Sequence, residues 1–159
     1  YWFNLHDDWW TDVADIQYLS AQAKDAEQQG ELSHAFSLYG QLVAYYRLTF
    51  LPEDIYEDVF SSYRRQHEYT SIQLLEHLMQ LSTRMERFDE ALSSALHTLS
   101  IDPYNENAVK TLVHVHLHQG DTTGALRQLN EFELMLRQEM GIEPGQEIIT
   151  LRRSILNSR

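Results

Sequence analysis

Three histidines at alternate positions, His114, His116 and His118, are the residues whose spacing comes closest to that of a chemical site. Residues four apart share one face of a helix, so His114 and His118 could hold one metal ion while His116 points away. Two imidazoles are too few ligands for such a site, and no carboxylate at a matching position completes the set. We therefore expect solvated or hydrogen-bonded histidines and no bound metal.

Other reactive side chains lack the setting that catalysis requires. The acid pairs Asp7-Asp8 and Glu57-Asp58 could act as general acid and base, but a solvated loop and a helix start explain them. Ser61-Ser62 and Ser93-Ser94 stand outside any Gly-x-Ser-x-Gly motif, and no glycine-rich phosphate-binding motif occurs. The absence of cysteine removes disulfides, thiolate ligands and cysteine nucleophiles. We predict that the chain is not an enzyme and uses no cofactor.

The composition predicts one acidic domain. The chain has 159 residues, 43% of them hydrophobic, which is enough to form a core. Its net charge of −12 repels phosphate backbones and anionic headgroups, so it should bind neither DNA nor a membrane by itself. It contains no run of about 18 apolar residues, and its first residues do not have the basic-then-apolar pattern of a secretion leader. The first residue is Tyr1 and not Met, so we expect part of a longer, cytoplasmic protein.

Almost every segment that must position these side chains has a helical pattern. Apolar residues recur with helical period in segments that begin near Val13, Leu32, Ile55, Phe88, Ala108, Thr122 and Gln146. Asn105 can cap the helix that follows it, the helix from Thr122 should run to Met140 with Gly141 as its left-handed cap, and the last helix should run from about Gln146 to Leu156. The segment from Ile55 to about Met85 lacks Gly and Pro, which predicts one helix of about 45 Å or two helices with a break near Glu68 to Ser71. Only Tyr1 to Leu5 alternates in the manner of a strand. The predicted fold class is all-α.

Two of the predicted helical hairpins share one register. Phe88-Asp89-Glu90-Ala91-Leu92 recurs 34 residues later as Thr122-Thr123-Gly124-Ala125-Leu126, and 34 residues is the period of the tetratricopeptide repeat. From Ala35 to Ala91 there are 56 residues, which is 22 more than one repeat. A long linking helix should therefore interrupt the repeats after the first hairpin. Glu86 stands where the repeat prefers glycine.

These hairpins, followed by the turn Glu139-Met140-Gly141-Ile142-Glu143-Pro144, resemble the bacterial transcriptional activator domain of SARP-type antibiotic regulatory proteins. The resemblance runs from about Trp10 to Ile155. It includes Tyr46-Arg47-x-x-Phe50-Leu51-Pro52 before the linking helix, although Arg47-Leu48 stands where the family commonly has Arg-Gly. The resemblance implies that residues 11–159 form tetratricopeptide-like hairpin repeats, an α-α superhelix, with a long linking helix and a C-terminal capping helix.

The first ten residues resemble the end of the winged-helix domain that precedes this module in SARP-type proteins. By that resemblance, residues 1–10 are a remnant of the wing strand and its linker. Their aromatic side chains should contact the missing winged-helix domain or, alternatively, cover the core of this one; they are Trp2, Phe3, Trp9 and Trp10.

The same resemblance implies a regulatory and oligomerisation domain of a bacterial transcriptional activator. Its partners would be its own winged-helix domain, which would bind direct-repeat DNA, and RNA polymerase or a second copy. A peptide-binding adaptor and a small-molecule sensor are the alternatives, because helical repeats often bind peptides on their concave face. Tyr39 and Tyr63 fall on apolar stripes and should lie in the core, whereas Tyr45 or Tyr46 is our choice for a partner surface.

Overall fold

The computed structural model describes residues 12–46 and 61–157, and every regular element in these two ranges is a helix. The all-α prediction is therefore confirmed. In chain order the helices are α1 (Asp12–Gln28), α2 (Leu32–Tyr46), α3 (Ser61–Arg84), α4 (Phe88–Ile101), α5 (Glu106–His118), α6 (Thr122–Met135) and α7 (Gln146–Asn157). The chain divides into two compact units, with the boundary within α3 between Leu74 and Leu75.

In the first unit, α1 and α2 form the predicted antiparallel hairpin. Ala23 of α1 and Ala35 of α2 are fully buried, because a small side chain is what allows two helices to approach closely. Tyr39, predicted to lie in the core, is also buried, and its hydroxyl donates a 2.9 Å hydrogen bond to Oε2 of Glu27 across the hairpin. Burial and the Glu27 carboxylate together raise the pKa of Tyr39, so the phenol stays protonated.

Helix α3 runs without interruption from Ser61 to Arg84, so a break near Glu68 to Ser71 is the wrong alternative. The uninterrupted helix follows from the lack of Gly and Pro in this segment, since no residue there disrupts the backbone hydrogen bonds. The predicted start at Ile55 and the Tyr46-Arg47-x-x-Phe50-Leu51-Pro52 motif beyond Tyr46 lie outside the described residues. Tyr63, predicted to lie in the core, is 62% exposed, and that prediction is wrong.

In the second unit, α5 packs against both α4 and α6, and α6 packs against α7. One apolar cluster joins the end of α3 to α4 and α5 through Met79, Ala95, Ala108 and Leu112. A larger cluster holds α5, α6 and α7 together, with these buried members: Val109, Val113, Ala125, Leu129, Phe132, Leu136, Ile148 and Ile155. Ala91 and Ala125, which define the 34-residue register, are both fully buried.

The three hairpin turns have the same backbone geometry. Gly30, Gly120 and Glu86 adopt left-handed φ angles of 78°, 75° and 56°. In each turn the next residue donates its N–H to a carbonyl five residues earlier, as Arg87 does to Ser82 at 2.8 Å and Asp121 to His116 at 2.8 Å. Glu86 therefore occupies a glycine position of the repeat without the conformational freedom of glycine.

The C-terminal end differs in one detail from the prediction of a single helix from Thr122 to Met140. The α-helical pattern stops at Met135, and Leu136–Met140 form a π-helical turn. Gly141 then ends the helix in the left-handed conformation at φ 67°, as predicted. The last helix, α7, covers the predicted Gln146 to Leu156 and places Ile148 and Ile155 in the core.

Candidate partner-binding groove

A depression in the second unit lies along α3 and α5, which are the first helices of two successive hairpins. Its volume is about 540 Å³. It is lined from α3 by Glu76, Met79, Gln80, Thr83 and Arg84, from α5 by Asn107, Lys110, Thr111 and His114, and from α7 by Glu147. We call this depression the groove. Its lining residues are polar or charged except for the buried Met79, but more of its surface is apolar than polar, because the aliphatic parts of the long side chains are accessible.

One end of the groove is organised around the carboxylate of Glu76. Its Oε1 accepts hydrogen bonds from the side-chain amides of Asn107 at 2.9 Å and Asn105 at 3.2 Å. The Oδ1 of Asn105 in turn accepts the backbone N–H of Ala108 at 3.0 Å, so Asn105 caps α5 as the sequence predicted. The helix cap thus also fixes a side chain of the groove.

The other end contains a cation beside an acid of the last helix. The Nζ of Lys110 donates a hydrogen bond to Oε2 of Glu147, and this bond lowers the pKa of Glu147. The Lys110 side chain is only 23% exposed, whereas the Glu147 side chain is 76% exposed. Partial burial, with the neighbouring Lys110 charge, lowers the pKa of His114, so this imidazole favours its neutral form.

A second depression of about 420 Å³ adjoins the groove and lies between α5 and α7. The two depressions share Lys110, His114 and Glu147, and the remaining lining of the second comes from α7, namely Gln146, Thr150, Leu151 and Ser154. The ion pair of Lys110 with Glu147 therefore lies where the two depressions meet.

Polar contacts fix the position of α7, and with it that of Glu147. The backbone N–H of Gly145 donates to Oε1 of Glu106 at 2.6 Å, just before α7 begins. Further along, Arg152 of α7 donates to Oε2 of Glu133 on α6, whose side chain is almost completely buried. Because these contacts act together with the apolar cluster, Glu147 is held at the groove by a fixed helix and not by a loop.

Two further contacts involve the π-helical residues and the turn that follows them, and none of their side chains lines either depression. Nε and Nη2 of Arg137 both donate to the Glu143 carboxylate, at 3.0 Å and 2.8 Å, and the pair lowers the pKa of Glu143. The hydroxyl of Tyr104 donates to Oε2 of Glu139 at 2.6 Å, which raises the pKa of Tyr104. Glu139 and Glu143 of the motif that suggested the family thus pair within this unit.

The three histidines of α5 have three different surroundings. Nδ1 of His116 lies 3.1 Å from Oδ2 of Asp121, the residue that caps α6. The His118 ring stacks on Phe88, with ring centroids 3.7 Å apart, and His114 lines the groove. Among the residues that the structure describes, no three His, Asp or Glu side chains are placed to hold a metal ion.

The predicted partner residues of the first unit have unequal exposure. Tyr45 is 40% exposed, and its hydroxyl donates to Oδ2 of Asp15 at 3.2 Å. Tyr46 packs against His67 with ring centroids 4.7 Å apart, and burial raises its pKa. Of the two, Tyr45 presents more surface. The predicted interdomain residues lie outside the described residues; these are Trp2, Phe3, Trp9 and Trp10.

Sequence reasoning did not single out the groove residues Glu76, Lys110 and Glu147. A signal for two of them exists, because Glu76 and Lys110 differ by 34 in residue number, as do Gln80 and His114. The repeat period therefore places each pair at equivalent positions on α3 and α5. Glu147 has no such signal, because α7 does not continue the repeat.

None of the described helices is both long enough and apolar enough to span a membrane.

The arrangement in the groove offers hydrogen-bond donors, two cations and some apolar surface, which together suit recognition of a polypeptide segment.

Comparison with solved structures defines the class of fold. The chain is similar to the TPR2B domain of yeast Sti1, in its complex with pHsp70, with a TM-score of 0.60 and 13% identity, covering 92% of this chain and 99% of that one. It is also similar to the C-terminal TPR-containing domain of a Plasmodium falciparum FK506-binding protein, with a TM-score of 0.61 and 16% identity, covering 94% and 93%. The predicted tetratricopeptide-like fold is confirmed.

Residues 11–156 match the model of the bacterial transcriptional activator domain. The chain belongs to this family, as the sequence motifs predicted. No curated protein matches the chain significantly.

Proposed function

We propose that this domain is the regulatory and protein-interaction part of a bacterial transcriptional activator and catalyses no reaction itself. The observation that carries the proposal is the family match, which covers residues 11–156. The charge agrees with it, because a domain of net charge −12 is unsuited to binding DNA directly. In this proposal DNA is bound by a winged-helix domain that precedes residue 1 in the cytoplasmic full-length regulator.

Two kinds of contact follow from this role. Residues 1–10 are the end of the winged-helix domain, and Trp2, Phe3, Trp9 and Trp10 lie against it. The groove, together with the Tyr45 surface, contacts a second copy or RNA polymerase. Helical repeats commonly use such surfaces for binding, and tyrosine is favoured at interfaces.

A peptide-binding adaptor without a role in transcription is the second candidate. Two observations favour it: the groove lies on the first helices of the hairpins, and the similar Sti1 domain was solved as a complex with pHsp70. The two candidates differ in what precedes residue 1, since only the activator requires a helix-turn-helix with Arg and Lys on its recognition helix.

A DNA-binding comparison tests the activator proposal. The chain of 159 residues and a version with its native upstream region are each used to select ligands from random-sequence DNA, and the selected DNA is then examined by gel shift. We expect the longer version to select direct repeats and the shorter chain to shift nothing. DNA binding by the shorter chain, or by neither version, would contradict the proposal.

Tryptophan emission tests the proposed contact of the first ten residues. All three tryptophans of the chain lie there, so emission from this chain reports on that segment alone. In a longer version whose upstream tryptophans are replaced by Phe, we expect a blue-shifted emission, because the rings become buried against the winged helix. An unchanged emission maximum would place these aromatics elsewhere.

Sedimentation of the longer version tests the proposed partner surface at Tyr45. We expect Tyr45→Ala to weaken a dimer and the control Tyr45→Phe to leave it unchanged.

A further inference from the structure

The groove already binds a carboxylate, and that carboxylate belongs to the protein itself. Glu147 approaches from α7 and accepts the hydrogen bond of Lys110 where the two depressions meet. The Lys110 side chain is mostly covered, whereas that of Glu147 is mostly in solvent. An exposed acid can exchange its place on a cation with little loss, because solvent compensates the acid that leaves. Lys110 stays in place, and its acidic partner can be replaced.

The charges that line the groove indicate what would replace Glu147. Arg84 and Lys110 are its cations, and Glu76 and Glu147 are its acids. Arg84 makes no ion pair with any residue in the described ranges. Glu76 is occupied by two asparagine amides, so withdrawal of Glu147 leaves one positive charge without a matching acid. One incoming carboxylate would restore the balance of positive and negative charges in the groove lining.

The charge of the whole domain limits how acidic the occupant is. A domain of net charge −12 repels a run of acids over distances near the Debye length, whereas a single carboxylate is repelled weakly. Both depressions present more apolar than polar surface beside the ion pair, because the aliphatic parts of their long polar side chains and the partly buried Leu151 are accessible. The matching occupant therefore has one acid between neutral, apolar neighbours.

We propose that Glu147 is a built-in competitor for the groove, and that a partner segment with one Asp or Glu between apolar residues displaces it from Lys110. Displacement opens the boundary between the 540 Å³ and 420 Å³ depressions and lets an extended segment continue from α3 across α5 to α7. This inference rests on the proposed role of the groove as a partner site, and it adds the chemistry of the partner and a mechanism that restrains binding.

The test is an NMR titration of the isotope-labelled chain with two probes, acetyl-Leu-Glu-Leu-amide and acetyl-Leu-Gln-Leu-amide. The probes differ by one charge and have nearly the same shape. In the unmodified chain we expect backbone shifts at Gln80, Lys110 and His114 with the glutamate probe, and weaker binding of the glutamine probe. With Glu147→Gln the affinity for the glutamate probe should rise about two- to fivefold, the range that release of one exposed ion pair allows.

Two further variants make the result specific. Glu143→Gln is the matched control, because it removes one negative charge and one exposed ion pair near α7 without touching either depression, and it should leave both affinities unchanged. Lys110→Met keeps the aliphatic part of the side chain and should abolish the preference for the glutamate probe.

Three results would overturn the inference: no shifts in the groove of the Glu147→Gln variant, equal affinity for both probes in the unmodified chain, or the same gain from Glu143→Gln as from Glu147→Gln. None of them changes the outcome of the DNA selection or of the tryptophan emission. Failure of this inference and failure of the proposed function therefore give different sets of results.

Discussion

The ion pair between Arg152 of α7 and Glu133 of α6 gives an asymmetric prediction. The two partners differ in burial, since the Glu133 side chain is 10% exposed and that of Arg152 is 36% exposed. Removing Arg152 leaves a carboxylate in the protein interior without its cation. Removing the charge of Glu133 leaves a guanidinium that can turn to solvent. The first change should therefore cost more than the second.

The magnitude follows from the burial. Breaking a fully buried pair by deleting one partner costs about 3–5 kcal/mol, and solvent near Arg152 reduces this, so we expect about 1.5–3 kcal/mol for Arg152→Met. Glu133→Gln keeps an oxygen that can accept the hydrogen bond and should cost about 1 kcal/mol. The double variant Glu133→Leu, Arg152→Met leaves no unpaired charge and should be more stable than Arg152→Met alone.

Urea unfolding followed by circular dichroism measures the loss, and hydrogen exchange at the amides of α7 shows where it occurs. Arg153→Met is the matched control, because Arg153 is the next residue of α7 and its side chain is exposed. It should change the free energy of unfolding by less than about 0.5 kcal/mol. The reasoning is refuted if Arg152→Met costs no more than Arg153→Met, or if Glu133→Gln costs more than Arg152→Met.

Three other measurements test the fold. Glu86→Gly should stabilise the chain by about 0.5–1 kcal/mol because it relieves the left-handed φ of 56°. Glu86→Ala is the control, because it removes the same charge but keeps the backbone strain. Equal urea midpoints for the glycine and alanine variants would contradict this reasoning. Leu129→Ala should cost about 2–5 kcal/mol because Leu129 is fully buried, whereas Leu134→Ala, at a position 55% exposed on the same helix, should cost less than about 0.5 kcal/mol in the same assay. Burial lowers the pKa of His67 and His114 from 6.5, so below pH 6.5 the unfolded chain binds more protons than the folded chain. The stability that these two histidines contribute should therefore be complete above pH 6.5 and decrease as the pH falls below it. His67→Gln should flatten the slope of melting temperature against pH.

The sequence predicted the helices well because the residues that determine them are local. Glycines in the left-handed conformation at Gly30, Gly120 and Gly141 end three helices, and each was visible as a break in the apolar period. The side of α3 that faces the core was predicted less well, since Tyr63 lies on an apolar stripe and is nevertheless exposed. A stripe shows which residues share a face, but the exposure of one residue depends on what packs there. The π-helical turn at Leu136–Met140 has no local signal of this kind.

The groove shows that one repeat period carries two kinds of information. At Ala91 and Ala125 the period repeats the residue type, because both positions lie where helices cross closely and only a small side chain fits. At Glu76 and Lys110 the same period reverses the charge, because these positions face the groove, where packing imposes no such restriction. Positions of the second kind are where a repeat protein can acquire specificity without loss of its fold. A comparison of residues 34 apart, made for charge as well as for size, would have brought Lys110 forward as a candidate site residue from the sequence alone.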